Sequence, residues 1–294
     1  MGTRGPGPEA VEESTEGIAG EPRPLRPIRK DEILVEERGL YIESWLPERR
    51  SRRRPLFFLH GELGGSWLWE RYLSYFAQRG WEGHALNLRA HFWSDTADLT
   101  ELDLASYVAD AAAGLAALGR PAVVVGHGLG GLLALKIAES MDVLGLVLIS
   151  PALPRPIRTD PPPHIARLVP AMFRSELIGW AGAPAIVARQ NVDLTRADIV
   201  RIQHLMGAES GLARRQMLEG LLVDPDAVAE IPTLVLGGGL DRLFAEADSE
   251  RLAHWLGAEY LPFGAHSHYG LVLGEESHEQ AADAIRAFLE AHRL

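Results

Sequence analysis

Val123-Val124-Val125-Gly126-His127-Gly128-Leu129-Gly130-Gly131-Leu132-Leu133-Ala134 decides how this chain is laid out. A β-branched apolar run breaks into a glycine-rich turn and resumes as a leucine- and alanine-rich pattern, which reads as buried strand, sharp turn, helix. Strands that are apolar without alternation belong to sheets covered on both faces, so this one stretch already predicts a parallel, helix-flanked sheet.

Working outward on the N-terminal side, 33–36 and 40–46 alternate around Gly39 and predict an antiparallel pair at the sheet's start. Pro55-Leu56-Phe57-Phe58-Leu59-His60-Gly61 is a second fully apolar run, ending in the loop that holds Glu62 and followed by a helix to about residue 78. A strand over 83–88, a loop containing His91, Phe92 and Trp93, and a helix over 104–118 bring the chain to the turn. On the C-terminal side, 144–150 is another buried strand. The alternation then stops: 151–170 is rich in proline, and 175–222 shows helical spacing at Ile186, Ile199, Ile202, Leu205 and Met217 with no clear strand. It resumes with a strand over 232–238 that leads to Asp241, a helix over 247–256, a strand over 258–263 and an amphipathic helix over 275–289. Repeated strand-helix units predict a doubly wound, mainly parallel sheet of about eight strands. The expected division is a disordered tail over 1–30, a core over 31–151 and 227–294, and a helical lid over 152–226.

The formal charge of −11 argues against a nucleic-acid partner, because no broad basic face is available to neutralise phosphates. With no cysteine in the chain, disulfides, thiolate metal sites and a cysteine nucleophile are excluded. No apolar run reaches the length of a membrane span, and the first thirty residues lack the apolar core of a signal peptide, so a cytoplasmic location is expected. Arg49, Arg50, Arg52, Arg53 and Arg54 read as a solvated loop before a strand. Neither a dinucleotide fingerprint nor a metal-ligand spacing appears, so no cofactor and no metal are expected. The oligomeric state is left open.

The frame Gly126-His127-Gly128-Leu129-Gly130 resembles the nucleophile turn of the α/β-hydrolase family, Gly-x-Ser-x-Gly, with Gly128 at the serine position. The resemblance extends from Ile33 to Leu294, because the order turn, acid, histidine also matches. It implies that Asp241, after the penultimate core strand, is the acid. One histidine of Gly264-Ala265-His266-Ser267-His268-Tyr269-Gly270 is the base. His268 is preferred to His266, because in similar sequences the base stands just before an aromatic or apolar residue entering the last helix. His60-Gly61-Glu62 resembles the family's oxyanion loop, which implies that the backbone amides of Glu62 and Leu129 face any developing oxyanion. Glu62 itself is unexpected there, since a carboxylate about 5 Å from an oxyanion costs roughly 3 kcal/mol at an effective dielectric near 20. The side chain therefore turns away, carries a proton, or faces chemistry without a free oxyanion.

Glycine relaxes the positive φ that this turn demands and leaves room for a water or substrate atom near His268. It also rules out an acyl-enzyme through residue 128. Ser66, Ser94, Ser150 and Ser267 read as capping or turn serines rather than substitutes. Three functions stay open: a His268–Asp241 general acid/base dyad, with Glu62 as a second such group, on a hydrophobic small molecule; a binding module that has lost activity; and an esterase whose serine was replaced. Trp67, Trp69, Phe92, Trp93, Met172, Phe173 and Trp180 are expected near the crevice, most of them as packing.

Overall fold

The computed structural model describes residues 27–49, 52–158 and 168–294. Residues 1–26 of the expected tail, positions 50–51 of the arginine loop and 159–167 of the expected lid lie outside the described residues.

The sheet begins with β1 (Ile28–Val35) and β2 (Leu40–Pro47), an antiparallel pair joined through Gly39. β1 starts inside the stretch expected to be tail. Its first residues are polar and show no alternation, and they are held by pairing of Ile28 to Asp31 with Pro47 to Ser44. Next come β3 (Leu56–Leu59), β4 (Gly83–Asn87), β5 (Ala122–His127) and β6 (Val143–Ile149). Two-residue strands β7 (Met172–Phe173) and β8 (Glu209–Ser210) pair with each other where only helix was expected. β9 (Thr233–Gly238) and β10 (Glu259–Phe263) complete an eight-stranded sheet in the order β1-β2-β4-β3-β5-β6-β9-β10, parallel from β4 onward.

Both faces are covered, as the unalternating strands require. Val124 points into one core with α2 (Leu104–Ala117) and α3 (Leu129–Ala138). Val123 and Val125 point into the other with α1 (Glu70–Gln78) and the helix Ser277–Ala291. Period-two alternation thus splits one apolar run between two cores.

The two outer glycines of the turn are required by close approach. A Cβ on Gly126 would stand 2.3 Å from the carbonyl oxygen of Gly130, and one on Gly130 would stand 2.2 Å from that of Leu59. The first turn of α3 is thereby seated directly against the end of β3. Gly130→Ala is expected to destabilise the chain by about 1–3 kcal/mol through overpacking, read as a lower midpoint in urea at unchanged slope.

Candidate active site

In a parallel sheet the loops at the carboxyl ends of the strands share one crevice. Here they also carry the backbone strain. Leu63 after β3, Ala90 and Phe92 after β4 and Ser150 after β6 all have positive φ without being glycine, and Gly128 after β5 sits at φ 55° and ψ −117°. Each such residue costs on the order of 1–3 kcal/mol, and strain of this kind clusters where geometry serves a site.

Gly128 is the N-cap of α3, and its N–H donates to the carbonyl of Ile149 at 3.1 Å. His268 comes to it from the loop after β10. Its Nδ1 donates to Asp241 Oδ2 at 2.7 Å, and the Asp241 side chain is fully shielded from solvent. The second oxygen of Asp241 accepts the N–H groups of Leu243 at 2.7 Å and Phe244 at 2.9 Å, so the acid cannot swing away from the imidazole. A Cβ placed on Gly128 would lie 3.3 Å from His268 Nε2 and 3.4 Å from the Phe244 ring. The space over the glycine is thus narrower than the sequence implied: imidazole and phenyl edges close on it. His266 does not join this group; it packs on Phe263 and its backbone carbonyl accepts from Leu240.

Two further histidines shape the surroundings. His127 donates Nε2–H to the His268 carbonyl at 3.0 Å and stacks on the His268 ring with centroids 4.0 Å apart. His60 donates Nδ1–H to Gly61 and accepts the Leu88 N–H on Nε2, tying the loop after β3 to the end of β4. Burial holds His60 down to about 3 and His127 well below the usual imidazole range, so both rings are neutral near pH 7.

Glu62 turns toward the inserted segment, where its Oε2 accepts from Arg214 Nη1 at 2.5 Å on the helix Gly211–Glu219. Its other oxygen is buried without a partner. Burial pushes the Glu62 carboxyl above its ordinary value, and the Arg214 guanidinium opposes that rise. An ionised Glu62 is balanced by the Arg214 charge, which removes most of the repulsion a lone carboxylate would exert on an oxyanion. Neither the Glu62 amide nor the Leu129 amide donates to another group among the described residues.

The contacts of four side chains, Glu209, His91, Tyr107 and Asp193, were invisible from the sequence because their partners are remote. Glu209 Oε2 accepts from Leu63 N–H and His91 Nε2, both at 3.1 Å, and Oε1 from the Tyr107 hydroxyl and Ser210 N–H. His91 Nδ1 also faces an acceptor, the Arg89 carbonyl at 2.9 Å. With both ring nitrogens on acceptors, His91 is the imidazolium of a buried ion pair. Leu63 is held from its other side as well, since its carbonyl accepts from Gly207. Asp193, the fourth, takes the Ser267 N–H.

Of the side chains expected near the crevice, Trp67, Trp69 and Trp180 are core, Phe173 packs with Leu63 and Val169, and Phe92, Trp93 and Met172 are exposed. Ser66, Ser94 and Ser267 are engaged by Glu43, Asn87 and Gly270, while the Ser150 hydroxyl is buried and unpartnered. No group of side chains suited to a metal ion occurs among the described residues, and no described helix is long and apolar enough to cross a membrane.

A doubly wound sheet with a sharp strand-turn-helix, an acid and a histidine at successive strand ends defines an α/β-hydrolase fold. The sequence model of the alpha/beta hydrolase family matches residues 56–284, and the chain belongs to that family. No curated protein matches it in sequence. Solved structures share the fold. An esterase from Exiguobacterium antarcticum superposes with a TM-score of 0.66 at 17% identity, over 85% of this chain and 95% of its own. A malate-bound thermophilic esterase from Thermogutta terrifontis gives 0.65 at 19%, over 90% and 100%. MenH from S. aureus gives 0.63 at 18%, over 86% and 99%.

Proposed function

We propose that this chain is an α/β-hydrolase-fold enzyme without a nucleophilic residue, in which His268 and Asp241 form a general acid/base dyad acting on a hydrophobic small molecule. The supporting observation is the dyad itself: a 2.7 Å His268–Asp241 bond, with the acid pinned by two amides and the imidazole edge over Gly128. Nothing at residue 128 can be acylated. The base instead takes a proton from water or from the substrate and returns it to the departing or newly formed group, which is the chemistry of hydration, elimination, cyclisation or water-mediated hydrolysis. The amides of Glu62 and Leu129 hold the developing oxyanion, and Arg214 keeps Glu62 from opposing it. The described residues of the inserted segment, 152–158 and 168–226, serve as a cap over the crevice, with Arg214 and Glu209 in its wall.

Carboxylic esters are the first substrates to screen, given the esterases that share the fold. The wild-type chain is expected to turn over without a burst and without labelling by a fluorophosphonate. A burst or a label on the wild-type protein would overturn the proposal, because both require a nucleophile. The second reading, an esterase whose serine was replaced, has one observation in its favour: a Cβ at residue 128 lies 3.3 Å from His268 Nε2, from where a hydroxyl would reach the base. It requires Gly128→Ser to cleave activated esters fast and to be labelled. The dyad proposal expects no gain on the native substrate in that variant.

A further inference from the structure

We infer that Asp193, a residue of the inserted segment, is a positioning residue for His268, an inference that rests on the dyad proposed above. Asp193 Oδ2 accepts the N–H of Ser267, the residue immediately before the base, at 2.7 Å. The core holds this loop through Leu240 N–H on the His266 carbonyl, Leu271 N–H on the Ser267 carbonyl and His127 on the His268 carbonyl; Asp193 adds a hold from the inserted segment on the Ser267 N–H. A second, independent feature marks the contact as built in. A Cβ on Gly270 would fall 1.6 Å from Asp193 Oδ2, so the carboxylate reaches Ser267 only because residue 270 has no side chain. The Gly270 N–H in turn donates to Ser267 Oγ at 3.2 Å, closing the loop around the carboxylate.

Asp193 is itself rigidly carried. Its neighbour Leu194 and the preceding Val187 are buried in the same core as Tyr269 and Leu271, on either side of the contact. Asn191, two residues before Asp193, is tied back to the Val187 carbonyl. Without the Asp193 bond the 266–267 peptide keeps only the Leu240 bond to its carbonyl, and its N–H side can tilt; a tilt there shifts the turn that carries His268 and moves the imidazole off Asp241. A displacement of about 1 Å in a catalytic group costs on the order of 10²-fold in rate. The inserted segment is therefore part of the base's mounting and not only a cover.

The test uses the full chain as wild type, Asp193→Ala, Asp193→Asn and Gly270→Ala. The readout is the far-downfield proton resonance of His268 Nδ1–H shared with Asp241, assigned by its loss in His268→Ala. Asp193→Ala is expected to lose this resonance or exchange it at least about tenfold faster, with kcat down about 10²-fold and KM unchanged. Asp193→Asn keeps an acceptor for Ser267 N–H and is expected to retain the signal and the rate. An Asp193→Ala protein with the wild-type resonance and rate overturns the inference. Should that variant fail to fold, Gly270→Ala, whose methyl displaces the carboxylate from Ser267, is judged by the same criteria. A folded wild-type chain lacking the resonance overturns the dyad and the inference together, whereas a resonance insensitive to residues 193 and 270 overturns the inference alone.

Discussion

His268→Ala is expected to lower turnover of the native substrate by about 10²–10⁴-fold in a chain that still folds, since the imidazole supplies the proton transfer. Asp241→Asn should cost a comparable amount by a different route. An asparagine side chain can still accept the Leu243 and Phe244 amides, but it presents an NH₂ to His268 Nδ1. That nitrogen then becomes the acceptor, the proton moves to Nε2, and the ring can no longer act as a base over Gly128. Steady-state kinetics on the ester or other compound turned over by the wild type decides this, and a His268→Ala enzyme at the wild-type rate would sink the dyad. Substrate binding that survives loss of both groups, in a chain with no turnover, would make the protein a binding module instead.

The largest stability effect is expected at Glu209. Glu209→Ala leaves the His91 imidazolium buried and alone, and releases the Leu63 amide, the Tyr107 hydroxyl and the Ser210 amide together. Breaking a buried pair in this way costs about 3–5 kcal/mol, on the order of 10 °C in thermal midpoint. The pH dependence has a definite sign. Burial pushes the Glu209 carboxyl up, but the His91 charge and the surrounding hydrogen bonds outweigh it and hold Glu209 at about 2, below its ordinary 4.5. Its contribution is present above 4.5 and is lost as pH falls toward 2. For His91, burial pulls down and Glu209 more than compensates, so its value lies above the ordinary 6.5. Its contribution is complete below 6.5 and disappears as pH rises through the raised value. The stability gap between wild type and Glu209→Ala is therefore widest between about pH 4.5 and 6.5 and narrows on both sides. A gap that widens steadily above 6.5 in urea titrations would contradict the ion pair.

Much of this molecule is written in local patterns. Two unalternating apolar runs, 55–61 and 123–126, required a sheet covered on both faces. The glycine frame of residues 126–130 announced a strand turning sharply into a helix. Asp241 and His268 stood in the right order after two later strands, and the structure brings them within hydrogen-bond distance. These features depend on residue periodicity and on steric demands within a few neighbouring positions, which a linear sequence records directly. The first residues of β1 and the pairing of β7 with β8 were not legible, because a polar or two-residue strand exists only through its partner's backbone.

Beyond the turn, acid and base, the wall of the crevice was decided by the tertiary structure alone. Glu62 looked like an isolated charge against an oxyanion until Arg214, 152 positions away, was seen to neutralise it. Glu209 and Asp193 carry no local signal, yet they hold Leu63 and Ser267, the residues beside Glu62 and His268. A charged side chain has many potential partners along a chain, and only close approach with exclusion of water selects among them. The sequence by itself therefore determined the sheet, the glycine turn and the candidate dyad. The folded chain determined which charges are buried against one another, because desolvation and hydrogen-bond geometry are properties of three-dimensional neighbours.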